Sequence, residues 1–209
     1  RTPDRGDCQR KKRPIRHLLR NTGLTSVWGR ISTRAAHLAA EHLPVGARTL
    51  VVGMGPPRRV IDAFKKRGMA ATAVTALPEQ TLASPAGNAC VLPWDLLVLE
   101  MNLSEKSVAE RHAVPGIVQS LAPLALLVDW QRAERNLEIP AEGLRRLFFR
   151  LTASCAKRGA LAAYDASGGL EGVVYEWRRQ GRVVARQSCL GGCVGMALIA
   201  WKQRPSAVE

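Results

Sequence analysis

The run of residues from Thr49 to Phe64 constrains the fold of this chain more than any other segment. It reads TLVVGMGPPRRVIDAF, which predicts a short apolar strand, a Gly-x-Gly turn and an amphipathic helix. Glycines let a backbone approach a ligand closely, and the free amides at the start of a helix point toward that ligand. The run is therefore typical of α/β domains that hold a nucleotide-like ligand.

The turn alone is a weak signal, but the rest of the chain continues in strand–helix alternation. This alternation predicts a mostly parallel sheet with helices on both faces. A continuous apolar run such as Leu96–Leu99 is expected in a parallel strand that is buried on both faces. Parallel strands are predicted at about Arg48–Gly53, Ala70–Thr75, Trp94–Glu100 and Leu124–Asp129, with a weak one near Cys90, and an antiparallel hairpin at Arg182–Gln187 and Met196–Trp201.

Helix boundaries carry their own signals. An amphipathic helix is predicted from Arg30 to Leu43, with Ile31, Ala35, Leu38, Ala39 and His42 on its inner face. Proline at the first position of the next helix costs no hydrogen bond, and Gly68 suits its C-terminal cap. Ser107-x-x-Glu110 predicts a capping box that opens a helix reaching about Leu121, and Pro140 predicts the start of a further helix.

The net charge of +14 over 209 residues is concentrated near the N-terminus, where Arg10 to Arg13 form a basic run. Such a run can attract nucleic acid or an acidic surface. It is also typical of a solvated arm, and we favour that interpretation because no aromatic side chains are interleaved for base stacking. We therefore predict a basic, partly disordered arm over residues 1–29 and one folded domain over residues 30–209.

The composition and the positions of the cysteines and histidines indicate where the protein is located and whether it binds a metal. The hydrophobic fraction of 46% is that of a globular protein, and no apolar run approaches the roughly 18 residues of a membrane span. No secretory signal is visible, and the five cysteines are an odd count without zinc-site spacing, so reduced thiols and a cytoplasmic location are expected. The histidines lack partners at metal-binding spacing, so no metal site is predicted.

Three segments resemble the class I S-adenosylmethionine-dependent methyltransferases, in particular the methyltransferase type 11-like group. The resemblance covers about Arg34 to Lys202, most of the chain. Its segments are VVGMG at Val51–Gly55, NACVLPWDLLVLE at Asn88–Glu100, and LVDW at Leu127–Trp130 with ERNLE at Glu134–Glu138. The resemblance implies a Rossmann-like, seven-stranded sheet, mostly parallel, that ends in an antiparallel hairpin.

The same resemblance implies a site for S-adenosylmethionine at the carboxyl ends of the strands. Gly53, Met54 and Gly55 would line the methionine end and ribose of the cofactor. Asn88 and Ala89 would lie near its adenine, and Glu100 and Met101 beneath it, with Thr75 at the end of the second strand.

Two departures from the family pattern bear on cofactor binding. Pro56 and Pro57 follow Gly55, and prolines remove amide donors from the turn. Thr75 stands where the family has an acidic residue that holds the ribose hydroxyls. Losing that carboxylate forgoes about 1.5–3 kcal/mol, which is about a tenfold or greater weakening.

A general base is optional for methyl transfer, because alignment of the nucleophile with the methyl group supplies most of the catalysis. Glu100, His112 and Asp129 are the candidates, and Glu100 is preferred because it ends a buried strand in the right region. Asp129 is more simply interpreted as binding nearby amides at a strand end, and His112 as an ordinary histidine.

Three functions follow from these observations. We favour a methyltransferase that uses S-adenosylmethionine and acts on an unidentified, small-molecule acceptor. The alternative is a degenerate methyltransferase fold that binds RNA or a larger assembly through its basic arm. A nicotinamide-dependent reductase is disfavoured because the third glycine and the acid ending strand two are both missing. The oligomeric state stays open.

Overall fold

The structure is a computed structural model that describes residues 24–53, 57–75, 77, 94–131, 155–190 and 192–202. Five α-helices and six strands lie in this part of the chain. The helices are α1 (Leu24–Ala40), α2 (Pro57–Lys65), α3 (Val108–Leu121), α4 (Cys155–Ala166) and α5 (Gly169–Trp177). The strands are β1 (Arg48–Gly53), β2 (Ala70–Val74), β3 (Leu96–Glu100), β4 (Leu124–Trp130), β5 (Gly181–Cys189) and β6 (Val194–Trp201).

The strands form one sheet in the order β2-β1-β3-β4-β6-β5. The first four strands are mutually parallel, whereas β6 runs antiparallel to both β4 and β5. This confirms the predicted α/β class, the parallel sheet and the terminal hairpin. The sheet has six strands in the described residues, and the strand predicted near Cys90 lies outside them, as does the helix predicted from Pro140.

Burial follows the position of each strand in the sheet. Every residue of β3 is buried, and since successive side chains point to opposite faces, both faces of this central strand are covered. The edge strand β5 alternates between half-buried and exposed residues along most of its length. The hydrophobic core therefore lies around β1, β3 and β4, between these strands and the helices on the two faces of the sheet.

Several local predictions are confirmed. Pro57 is the first residue of α2, and Gly68 follows that helix with φ +79°, a left-handed conformation that glycine adopts without strain. Ser107 and Glu110 form the predicted reciprocal capping box, and α3 ends at Leu121.

Helix α1 differs from its prediction at both ends. It begins at Leu24, before the boundary predicted at residue 30, and it ends at Ala40. His42 therefore lies beyond the helix and is exposed, so its predicted place on the inner face is wrong. Among the described residues, no helix is long and apolar enough to span a membrane.

Candidate functional site

The carboxyl ends of the parallel strands meet at one edge of the sheet, and this edge carries the predicted site residues that the structure describes. Gly53 ends β1 and lies opposite Glu100, the last residue of β3, in the parallel register. Thr75 follows β2 directly and is exposed. The topology thus brings Gly53, Thr75 and Glu100 to one edge, whereas Met54, Gly55, Asn88 and Ala89 lie outside the described residues.

Gly53 is held against β3 so closely that no other residue fits without a shift. A Cβ atom on Gly53 would lie 2.8 Å from both Cβ and the carbonyl oxygen of Glu100, and 3.2 Å from Glu100 Oε2. A contact under 3 Å to backbone cannot be relieved by a side-chain rotation. The absence of a side chain at Gly53 is therefore required by the sheet itself, whatever binds beside it.

Glu100 is a buried carboxyl group, with 2% of its surface exposed. The Ser32 hydroxyl, on α1, donates a hydrogen bond to Glu100 Oε1 at 3.0 Å. No described residue makes a hydrogen bond to Glu100 Oε2, although that atom is also buried. Burial raises the pKa of Glu100 to about 7, and the hydrogen bond from Ser32 acts in the opposite direction. Glu100 can therefore hold or release a proton near neutral pH.

Met101 continues the chain from Glu100 in a conformation that is uncommon for its residue type. Its φ is +50°, in the left-handed region, and its side chain is buried. The Met101 amide donates a 2.7 Å hydrogen bond to the carbonyl of Val128 on β4. Strained residues of this kind persist where the surroundings fix them, and they cluster at functional sites.

Asp129, near the end of β4, has its acceptor sites occupied by backbone amides. Asp129 Oδ2 accepts hydrogen bonds from the amides of Leu103 at 2.9 Å and Ser104 at 3.0 Å, and Oδ1 accepts one from Trp130 at 2.8 Å. Burial raises the pKa of Asp129 to about 6 against the effect of these donors. The carboxylate caps the short 3₁₀ helix Leu103–Glu105, which favours the interpretation as a structural residue over that as a base.

His112 lies on α3 with a largely exposed side chain, and its Nε2 is 3.7 Å from an oxygen of Glu176 on α5. These surroundings are those of an ordinary surface histidine. Among the described residues, no group of three or more His, Cys, Asp or Glu could hold a metal ion.

Sequence reasoning missed Ser32, the residue that reaches Glu100 from α1. Ser32 is 1% exposed, next to Ile31 on the buried side of the helix. A hydroxyl on the apolar side of an amphipathic helix needs a buried hydrogen-bond partner. The position of Ser32 in the sequence therefore indicates that such a partner exists. The sequence alone did not indicate which strand would supply that partner.

No protein-family model matches the chain, and no curated protein sequence matches it. Solved structures do. The mitomycin 7-O-methyltransferase MmcR superposes with a TM-score of 0.51 and 16% identity, covering 82% of this chain and 54% of that protein. The pyocyanin biosynthetic protein PhzM superposes with a TM-score of 0.50 and 11% identity, covering 80% of this chain and 54% of that protein.

The plantazolicin methyltransferase BpumL, solved in complex with SAH, matches over almost its whole length. Its TM-score is 0.50 at 10% identity, and the match covers 92% of this chain and 91% of BpumL. The chain has the fold of class I methyltransferases. It spans about half the length of MmcR and PhzM, and identities this low carry the fold alone.

Proposed function

We propose that this chain is an S-adenosylmethionine-dependent methyltransferase whose cofactor binds at the carboxyl ends of β1 and β3. The observation that carries the proposal is the buried Oε2 of Glu100, an acceptor without a described hydrogen-bond partner, next to the end of β1. An unpartnered buried oxygen is costly unless it is protonated or a ligand donates to it. Its position is where ligands bind in open α/β sheets.

The residues at this edge fit such a cofactor. Gly53 ends β1, Thr75 offers an exposed hydroxyl directly after β2, and Glu100 offers the unpartnered oxygen. Met54, Gly55, Asn88, Ala89 and Met101 complete the proposed set of cofactor-binding residues. When bound, the cofactor would supply a methyl group on a sulfonium sulfur.

Glu100 is the residue that we propose as catalytic. With a pKa of about 7, its carboxyl group is partly ionised at neutral pH and can take a proton at Oε2. Ser32 holds the other oxygen, so the proton-accepting atom has a fixed position. Since Glu100 is 2% exposed, this role requires the acceptor to reach a buried oxygen.

We propose a small-molecule acceptor. The structural match to MmcR, a mitomycin 7-O-methyltransferase, supports this class of acceptor. We also propose a cytoplasmic location, a basic arm over residues 1–29 and one folded domain over residues 30–209.

Calorimetric titration of the purified chain with S-adenosylhomocysteine tests the proposal. We expect binding in the micromolar range, and absence of binding at millimolar concentration would contradict the proposed function. Gly53 is a poor position for a test variant, because a larger residue there disturbs β3 before it disturbs a ligand.

Thr75→Asp is the sharper variant. It installs a carboxylate that can accept hydrogen bonds from both ribose hydroxyls, so it should tighten binding about tenfold or more. Thr72→Asp makes the same charge change at an exposed position within β2 and should leave affinity within about twofold. If the two variants changed the affinity for S-adenosylhomocysteine equally, Thr75 would not be part of the cofactor site.

A further inference from the structure

A groove of about 1150 Å³ lies between α1 and the turn that joins β5 to β6. Its polar lining comes from Arg30, Thr33, Arg34, His37, Arg67 and Ser188. Residues three, four and seven positions apart lie on one face of a helix, so Arg30, Thr33, Arg34 and His37 project together from α1. The opposite face of α1 packs on the sheet, and the groove is therefore separate from Glu100 and its partner Ser32.

The described side chains that line this groove carry a net positive charge. Arg30, Arg34 and Arg67 are exposed, and within the described residues none of the three forms a salt bridge. No described Asp or Glu lines the groove. Glu41, which directly follows α1, pairs with His37 at 3.4 Å. Three guanidinium groups beside one another, without carboxylates, repel each other and favour an anionic ligand.

The field of these arginines reaches the wall formed by β5. Cys189 lines the groove, and its burial raises the pKa of the thiol to about 11. The positive charge of Arg34 acts against that rise, so this guanidinium is close enough to β5 to stabilise negative charge there. The positive charge of Arg34 on α1 therefore acts on both walls of the groove.

We propose that this groove binds the phosphate backbone of a single-stranded nucleic acid. Guanidinium groups bind phosphate in bidentate geometry, and the hydroxyls of Thr33 and Ser188 are suited to donate to phosphate oxygens. No Phe, Tyr or Trp is among the described lining residues, so contacts to phosphates, and not stacking on aromatic rings, would hold the strand.

This inference is independent of methyl transfer, since it concerns the other face of α1. It is tested by the binding of a fluorescently labelled oligonucleotide of about 12 nucleotides to the full chain, measured by anisotropy over a range of salt concentrations without cofactor. The double variant Arg30→Gln/Arg34→Gln should weaken binding roughly tenfold or more at about 0.1 M salt, and should reduce the slope of log affinity against log salt by about 1.4.

Two matched controls remove the same amount of charge. Arg178→Gln/Arg182→Gln changes exposed arginines outside the groove, and Arg10→Gln/Arg13→Gln changes the arm. A selective loss in the groove variant supports the proposal. Equal losses in the groove variant and the Arg178/Arg182 control would overturn it, and so would the absence of any binding. Tighter binding of inorganic tripolyphosphate than of the oligonucleotide would also overturn it and assign the groove to small phosphates.

Discussion

At the scale of single residues, the two buried carboxyl groups at the strand ends differ in their hydrogen bonds. Asp129 accepts three backbone amides, whereas Glu100 accepts one hydroxyl and keeps an oxygen without a described partner. A buried carboxylate is stable when donors surround it and costly when they do not. Of these two carboxyl groups, Glu100 is thus the one that costs the fold stability, as is common at functional sites.

Replacing Glu100 by glutamine should make stability less sensitive to pH. The folded-state pKa of about 7 exceeds the ordinary value of 4.5, so the folded chain binds the extra proton between these values and loses stability as pH rises through them. The glutamine side chain of E100Q cannot ionise, so the stability of this variant relative to the unsubstituted chain should grow by about 2 kcal/mol from pH 5 to pH 8. Urea unfolding at both pH values measures this difference.

Asp129→Asn is the contrasting variant for that experiment. In D129N an NH2 group replaces one of the two oxygens that now accept backbone amides, so this variant should be about 1–3 kcal/mol less stable than the unsubstituted chain at pH 5. Because the pKa of Asp129 is also raised, to about 6, this loss should shrink by about 1 kcal/mol between pH 5 and pH 8. Two results would show that the carboxyl groups do not differ in this way. One is a D129N variant that is more stable than the unsubstituted chain. The other is a stability difference between E100Q and the unsubstituted chain that is the same at pH 5 and at pH 8.

At the scale of elements, α3 has the clearest sequence signal at its start. Ser107 Oγ accepts the Glu110 amide at 3.3 Å, and Glu110 Oε2 accepts the Ser107 amide at 2.7 Å. Ser107→Ala should therefore destabilise the chain by about 1 kcal/mol. Ser120→Ala, in the same helix but hydrogen bonded only to the carbonyl of Ile117, should be within about 0.5 kcal/mol of neutral. Chemical denaturation measures the free energy of unfolding of both variants. Equal losses would show that the capping box does not stabilise α3.

The elements that sequence reasoning found are those with strong local signals. The apolar run of β3, the capping box of α3 and the proline of α2 each act within a few residues, so a sequence reveals them. Helix α4 was missed because its sequence CAKRGALAAYDA offers small residues in place of a large apolar stripe. Its anchor is Tyr164, which is buried and donates a 3.0 Å hydrogen bond to the Trp130 carbonyl, a contact that only the fold creates.

The site was predictable only in part for the same reason. The order of strands indicated that Gly53 and Glu100 would meet at one edge, because parallel strands share their carboxyl edge. Ser32 and the groove arginines could not be found in this way. Their roles depend on how α1 sits against the sheet, and amphipathic periodicity does not specify which strand end a helix covers.

At the scale of the whole molecule, stability should decline from the centre of the sheet to its edges. The residues of β3 and nearly all of those of β4 are buried, whereas β2 and β5 are edge strands with exposed positions. Hydrogen exchange followed by mass spectrometry should therefore show the slowest exchange in peptides covering 96–100 and 124–130, and faster exchange in 70–74 and 181–189. Slower exchange in β5 than in β3 would contradict this order.

The close contact between Gly53 and Glu100 has a consequence for how this sequence can change over time. A side chain gained at position 53 would collide with Cβ of residue 100 and with its carbonyl oxygen, and the second of these atoms belongs to every amino acid. No exchange at position 100 can therefore compensate fully for the loss of glycine at 53. Among descendants of this chain, position 53 should stay invariant even in lineages that abandon the carboxylate at 100 and any chemistry it performs.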